Sequence, residues 1–290
     1  FFNACCDDLF ENDFDILFNE IIFMLIVTFN VNGIRARIHQ LKALVSKYNP
    51  DVICLQEIKV SDEEFPYSDI QSLGYKVHNY GQKGFHGVAT LSKNDPKNII
   101  KGLNGGADED QKRFIQCDFD TNIGTISICN SYFPQGENRK HELKFPYKER
   151  YYKRITAHLK KISNHLVVTG DFNIAPLAQD RAIGEDAEKR WLREGHTAFL
   201  PEELDWFSKL KSIGLEDQWR NNHPETNISS WFDYRSRGFE REPKRGLRID
   251  FFLTSSSLED MYIDSQIDHE MRAMEKPSDH CPVTLKLAIE

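Results

Sequence analysis

Seven short apolar runs constrain this chain more than any other feature: "LIVTFNV", "DVICLQ", "GVATLS", "GTISICNSYF", "HLVVTGDF", "RIDFFLT" and "CPVTLKL". Each is short, rich in Val, Ile, Leu or Phe, and bounded by polar residues, the mark of a buried strand. Helical periodicity falls between some of them, at roughly 36–48, 141–163 and 201–213. "ARIHQLKALVSKYN" closes before Pro50, as a helix should. Strands that follow one another directly, mixed with strands joined by helices, predict an α/β (α+β) fold. The expected architecture is a four-layer sandwich: two mixed β-sheets flanked by helices, in one domain.

Composition is consistent with that size of core. The 290 residues are 40% hydrophobic and 12% aromatic. The most apolar stretch, "ILFNEIIFMLIVTFNV", is interrupted by Asn19, Glu20, Thr28 and Asn30, so it is not a membrane span. Six cysteines lie scattered without a CxxC pair or zinc spacing, which predicts reduced thiols and a cytoplasmic protein. Residues 1–23 hold six acidic side chains and no Lys or Arg, unlike a secretory signal. Removing them takes the net charge from −8 to −8 + 6 = −2. They are expected to be an acidic extension outside the fold, or else a short amphipathic arm, with the single domain spanning 24–290.

The polar residues repeat a pattern. "LIVTFN" ends in Asn30, "DVICLQE" in Glu57, "ISICNSY" in Tyr132, and "HLVVTGDFN" runs into Asp171 and Asn173. "LRID" carries Asp250, and Asp279-His280 stands before the last strand, stiffened by Pro277 and Pro282. One such residue is usually only a strand reaching water. Six arrivals of metal-binding or proton-moving groups predict strand ends converging on one polar cleft.

At these motifs the chain resembles the exonuclease III family of DNA-repair nucleases, within the wider group of metal-dependent endonucleases, exonucleases and phosphatases. The resemblance runs from Met24 to the end through "TFNVNGIRAR", "PDVICLQEIKV", "GQKGFHGVA", "YFPQGE", "GDFNIAP", "WFDYRSRGF", "GLRIDFFL" and "EKPSDHCPV". "GDFN" and "SDH" indicate only the wider group; "YFPQGE" and "WFDYRS" point to the repair branch. The resemblance implies Mg²⁺, with Mn²⁺ able to substitute, held mainly by Glu57 with Asn30 close by. Hard oxygens and few protein ligands suit that ion. Asp171, Asn173 and Asp279 are further implied metal neighbours. His280 would donate to the phosphate, with Asp250 fixing its tautomer, Asp279 supporting, and Tyr132 offering a phenol. Asp171 would orient or deprotonate water, or act as the leaving-group acid, with Asn173 holding water or phosphate.

The implied partner is double-stranded DNA, at abasic sites and 3′ ends, with no membrane and no obligate protein partner. In a bacterium the enzyme would be associated with the nucleoid. An acidic chain is unexpected for a DNA enzyme, but its cations cluster. Residues 139–154 hold seven Lys/Arg against two Glu, and 235–248 hold six against two. The first run alone reads as a solvated helix face. The second is loop-like, flanks "WFDY" and leads to Asp250, so phosphate contacts are expected there, with Arg235 among them. Gln135 in "YFPQGE" is a further substrate-binding candidate. Trp231 and Leu247, ahead of Phe232 and Ile249, are expected to wall a pocket for a bare sugar. Two rivals share these residues: a phosphoinositide phosphatase, and a DNA-binding module without activity. The intact catalytic set argues against the second.

Overall fold

The computed structural model of the protein describes residues 23–103 and 111–289. The expectation for the acidic extension therefore lies outside the described residues, except Phe23, which opens the first strand and pairs with Ala288.

Two six-stranded sheets form the centre. The first has the order β13 (Tyr262–Asp264), β14 (Val283–Ala288), β1 (Phe23–Asn30), β2 (Val52–Gln56), β4 (Val88–Ser92) and β3 (Lys76–Tyr80). The second has the order β10 (Leu215–Glu216), β12 (Asp250–Ser255), β8 (His165–Asp171), β7 (Gly124–Tyr132), β6 (Phe114–Thr121) and β5 (Asn98–Lys101). A small ribbon joins β9 (Arg181–Ala182) to β11 (Gly246–Leu247).

Each sheet has one parallel pair at its heart, β1 with β2 and β7 with β8, and antiparallel neighbours outside. A parallel pair needs a crossover. Here α1 (Ile38–Tyr48) serves the first sheet and α3 (Lys144–Leu159) the second. The other helices are α2 (Tyr67–Gln71), α4 (Glu185–Glu194), α5 (Pro201–Lys211), α6 (Gln218–Asn222) and α7 (His269–Arg272).

Alternation along the strands builds three apolar layers. Ile26 and Cys54 meet Ile128, Val167 and Phe252 between the sheets. Val27, Phe29, Ile53 and Leu55 face Leu41 and Leu44 of α1. Val168, Phe251 and Leu253 face Tyr151, Tyr152 and Ile155 of α3 and Phe207 of α5. The expected four-layer sandwich is what the chain forms. The two sheets are pinned by a buried polar contact: Gln56 Nε2 donates to Asn130 Oδ1 (2.7 Å), and Asn130 Nδ2 donates to Ala89 O (2.9 Å).

The helix bounds follow expectation closely, α1 ending with Asn49 in the left-handed region before Pro50. The structure adds α4, whose ten residues bury no side chain, and the strands β3, β5 and β6.

A carboxylate ties α1 to α7. Asp268 accepts from Lys47 Nζ (2.8 Å), Tyr48 Oη (2.6 Å) and the Met271 amide (3.1 Å). Burial works against its charge, but these donors prevail and hold Asp268 below the usual carboxylate range. A depressed carboxylate contributes stability above its unfolded pKa, about 3.9, and loses it as pH falls further. Asp268→Ala should therefore cost about 1–3 kcal/mol at pH 7, and the gap from wild type should shrink below about pH 4. Urea midpoints at pH 7, 5 and 3 test this; a gap that grows towards acid contradicts it.

Candidate active site

The topology explains why the polar residues meet. In both sheets the carboxyl ends of the parallel pair point the same way, and the antiparallel neighbours begin there. β1 delivers Asn30 opposite Gln56, the residue before Glu57. In the second sheet Tyr132 and Asp250 both lie opposite Asp171. Ligands gather at the carboxyl ends of such strands.

Local backbone finishes the placement. Gly170 takes φ +134, and a Cβ there would sit 1.9 Å from Ser131 O, so only glycine lets β8 lie against β7 as it presents Asp171. Glu57 and Asn173 both adopt left-handed φ, 50° and 53°. A glutamate in that region is uncommon, and such strain concentrates at functional sites.

Asn30 stands between two carboxylates, its Nδ2 donating to Glu57 Oε1 (2.9 Å) and Asp171 Oδ2 (3.0 Å). Its own oxygen accepts the Asn32 amide (3.0 Å), so it positions the carboxylates by donation. Asn173 holds the other side of Asp171: its amide reaches Oδ1 (2.9 Å) and its Nδ2 reaches Oδ2 (3.1 Å). His280 Nδ1 faces both oxygens of Asp250, at 3.1 and 2.9 Å, leaving Nε2 3.8 Å from Asp171 Oδ2. Ser230 Oγ donates to Asp250 Oδ2 (2.6 Å) and fixes that carboxylate in turn.

Burial opposes charge on Glu57, Tyr132, Asp171 and His280, and their neighbours decide the balance. Burial raises Asp171, and His280 lowers it again without restoring the ordinary range. Burial lowers His280, but Asp250 and Asp171 override it and hold the imidazole protonated well above neutrality. Glu57, despite burial, is kept below the usual range by Lys59, 2.9 Å away, and by Asn30. Tyr132 is pushed far up by burial and by the Glu57 carboxylate, so it remains a phenol.

Among the described residues, the group whose ligand atoms could share one ion is Glu57, Asp171 and His280, all within 4.8 Å of one another. Two carboxylates of this kind fit a hard cation. A protonated His280 does not act as a metal ligand. Asp279 lies outside that group of three. Its Oδ1 accepts from Asn32 Nδ2 (2.9 Å) and its Oδ2 from Trp231 Nε1 (3.0 Å).

The substrate-binding expectations divide. Trp231 is half-buried, its backbone bridging Leu247 and His280, so one edge faces the site. Leu247 is 2% exposed and packs with Ala175, Phe199 and Ile249, with Trp231 against the same cluster. Phe232 and Ile249 are also buried. Arg235 is exposed on the loop after Trp231. Gln135 is exposed and lines a cleft of about 420 Å³ beside Tyr132, together with His86, Arg113, Lys144 and Arg150.

The two cationic runs also separate. In 139–154, Arg139 pairs with Glu202, Lys144 with Glu137 and Lys153 with Glu149, as a solvated face would. In 235–248, Arg248 is not available to a phosphate. It is buried, with Nε on Asp180 Oδ1 (2.7 Å) and Nη2 on Asp217 Oδ2 (2.5 Å). The remaining five cations of that run are exposed.

Lys59, Asn32, Ser230 and Arg113 join the site without belonging to the expected set. Arg113 stacks 4.6 Å from the Tyr132 ring and donates to Tyr132 O (3.1 Å). Lys59 follows Glu57 closely in "QEIKV", a weak signal; Ser230 and Asn32 carry none.

Known proteins resemble this chain in sequence and fold. The endonuclease/exonuclease/phosphatase family profile matches residues 27–280. An exodeoxyribonuclease III of Haemophilus influenzae is 50% identical over 264 residues, 90% of this chain and 98% of the relative. A Neisseria 3′ phosphatase bound to a product DNA hairpin superposes with a TM-score of 0.83 at 34% identity, over 91% of this chain and 99% of the other. An AP endonuclease from Archaeoglobus fulgidus gives 0.81 at 33% identity, over 90% and 98%. The resemblance read from the motifs is thus borne out across the fold, and this chain belongs to the endonuclease/exonuclease/phosphatase family.

Proposed function

We propose that the protein is a Mg²⁺-dependent DNA-repair phosphodiesterase that cuts duplex DNA 5′ to abasic sites and trims nucleotides or blocking groups from 3′ ends. The observation that carries this reading is the meeting of two carboxylates, Glu57 and Asp171, with a histidine within 4.8 Å whose other nitrogen is 2.9 Å from Asp250. Relatives named for exodeoxyribonuclease III, AP endonuclease and 3′ phosphatase activities support the substrate class. No helix among the described residues is long and apolar enough to cross a membrane. Work on DNA in the cytoplasm, on the nucleoid in a bacterium, fits the reading.

Each side chain has a role in that chemistry. Glu57 and Asp171 would hold the ion, which when bound offsets negative charge on the phosphoryl oxygens. Asp171, steadied by three donors and lifted by burial, orients a water and takes its proton. His280, kept charged by Asp250, donates from Nε2 to a phosphate oxygen. Tyr132 adds a phenolic donor beside Glu57. Asp279 holds the Trp231 indole in place. Mn²⁺ meets the same hard-oxygen requirement and should substitute.

Removing the carboxylate charge at position 57 should raise the Mg²⁺ requirement strongly. Glu57→Gln is expected to need far more Mg²⁺ for half-maximal cutting, read by titrating the chelator-stripped protein. Full activity in EDTA would sink the metal assignment, and activity with Zn²⁺ alone would show the wrong ion was chosen.

Selectivity rests on a different residue. A sugar without its base loses no stacking on leaving the helix, so flipping it costs less, by a few kcal/mol. Trp231, half-buried against Leu247, is the more accessible of the two walls proposed for a snug pocket. Trp231→Ala should weaken abasic-site cutting and relax discrimination against intact duplex, with Mg²⁺ dependence unchanged. An equal fall on both substrates with a lower melting temperature would make Trp231 a core residue only.

A further inference from the structure

A lysine with no accessible side-chain surface lies directly behind the catalytic turn. Lys148, on α3, donates through Nζ to Asn173 O (2.8 Å), Gln135 O (3.2 Å) and Glu203 Oε1 (2.6 Å). Three acceptors match in number the three protons of an ammonium. The other oxygen of Glu203 accepts from the Ala198 and Leu200 amides, both at 2.8 Å. The Ala198 carbonyl in turn accepts the Ala175 amide (2.7 Å), closing a loop of contacts around residues 173–175. One turn along α3, Tyr152 Oη donates to Phe172 O (2.7 Å). The same face of the crossover helix therefore grips two successive carbonyls where the chain leaves β8.

We infer that Lys148 is a positioning residue for the active site: its buried ammonium clamps the Asn173 carbonyl, and so aims the Asn173 side chain at Asp171. The inference rests on the nuclease reading of that site. Asn173 sits at φ 53, a conformation that persists only when its surroundings hold it. Its Nδ2 reaches Asp171 Oδ2 (3.1 Å) and Phe133 O (3.0 Å), so a small swing of the backbone would take one donor from the carboxylate. A buried ion pair is a poor route to stability, since a well-packed apolar pair of similar volume often does as well. Its use here fits a need for geometry more than for melting temperature.

The test separates geometry from folding. Lys148→Met/Glu203→Gln removes both charges at similar volume, so the melting temperature should stay near wild type. On an abasic duplex with saturating Mg²⁺, kcat should fall about ten- to hundredfold with KM unchanged. Lys148→Arg is the second variant. It keeps the charge opposite Glu203, but a planar fork cannot meet three acceptors arranged for an ammonium. It should show the same loss in kcat at unchanged KM. Wild-type kcat in either folded variant overturns the inference, as does a fall in kcat matched by a rise in KM. If the wild-type protein itself does not cut, the nuclease reading fails, and this inference fails with it for a distinguishable reason.

Discussion

Asp171→Asn and His280→Asn will each lower turnover by at least about a hundredfold, while duplex binding survives. Asn matches Asp in shape at 171, whereas at 280 it keeps a polar group near Nδ1 and leaves nothing at Nε2; each change removes one proton-handling group. An amide at position 171 cannot take a proton from water, and an amide at position 280 cannot place a charged donor on the phosphate. Loss of an acid–base or charge-stabilising group is commonly worth about 10²- to 10³-fold or more, roughly 3–4 kcal/mol. Binding should persist because the exposed cations after Trp231 and along the cleft beside Tyr132 do not depend on either group. Salt-dependent binding measured beside single-turnover cleavage gives both quantities. Cleavage at the wild-type rate would end the assigned role of the residue concerned.

Arg248→Met is expected to be among the most destabilising single changes in the molecule. The guanidinium lies 4.3 Å from the Phe251 ring and 4.7 Å from Trp219, so Met retains much of the packing. The charge is another matter. Asp180 keeps Arg220, whose Nη2 is 2.6 Å away, but Asp217 loses the cation that neutralises it in a buried place. Breaking such a pair from one side costs about 3–5 kcal/mol. Asp217→Asn in the Arg248→Met background should recover part of that loss. Urea midpoints for the three proteins decide the matter; a loss below about 1 kcal/mol, in the range of an exposed pair, would contradict it.

How much of this was legible in the sequence follows from burial. The central strands β1, β2, β8, β12 and β14 announce themselves because most of their residues are buried, giving near-continuous apolar runs. The edge strand β5 has no buried residue and β3 only one, so neither leaves an apolar period to read. The helix α4 is hard to read for a related reason: its stripe is only Ala187 and Trp191, half-buried among charged residues.

At the site, Asn30, Glu57, Tyr132, Asp171 and Asp250 were visible because each ends or begins a legible run. Lys59, Ser230 and Lys148 gave no such signal, and Lys148 acts through a partner, Glu203, 55 residues away in sequence. Leu247 and Arg248 are buried at the end of a loop that reads as exposed because it is rich in Arg. Two of its members turn inward beside the strand that follows.

The central claim is cation-dependent cutting at an abasic site. The most direct measurement is incubation of the chelator-stripped protein with a duplex carrying one abasic site, with and without Mg²⁺, alongside the same duplex intact. The account predicts a single incision immediately 5′ to the abasic sugar, only with Mg²⁺, and far slower cutting of the intact strand's interior. Incision in EDTA, or no incision at the abasic site with Mg²⁺ present, would contradict it.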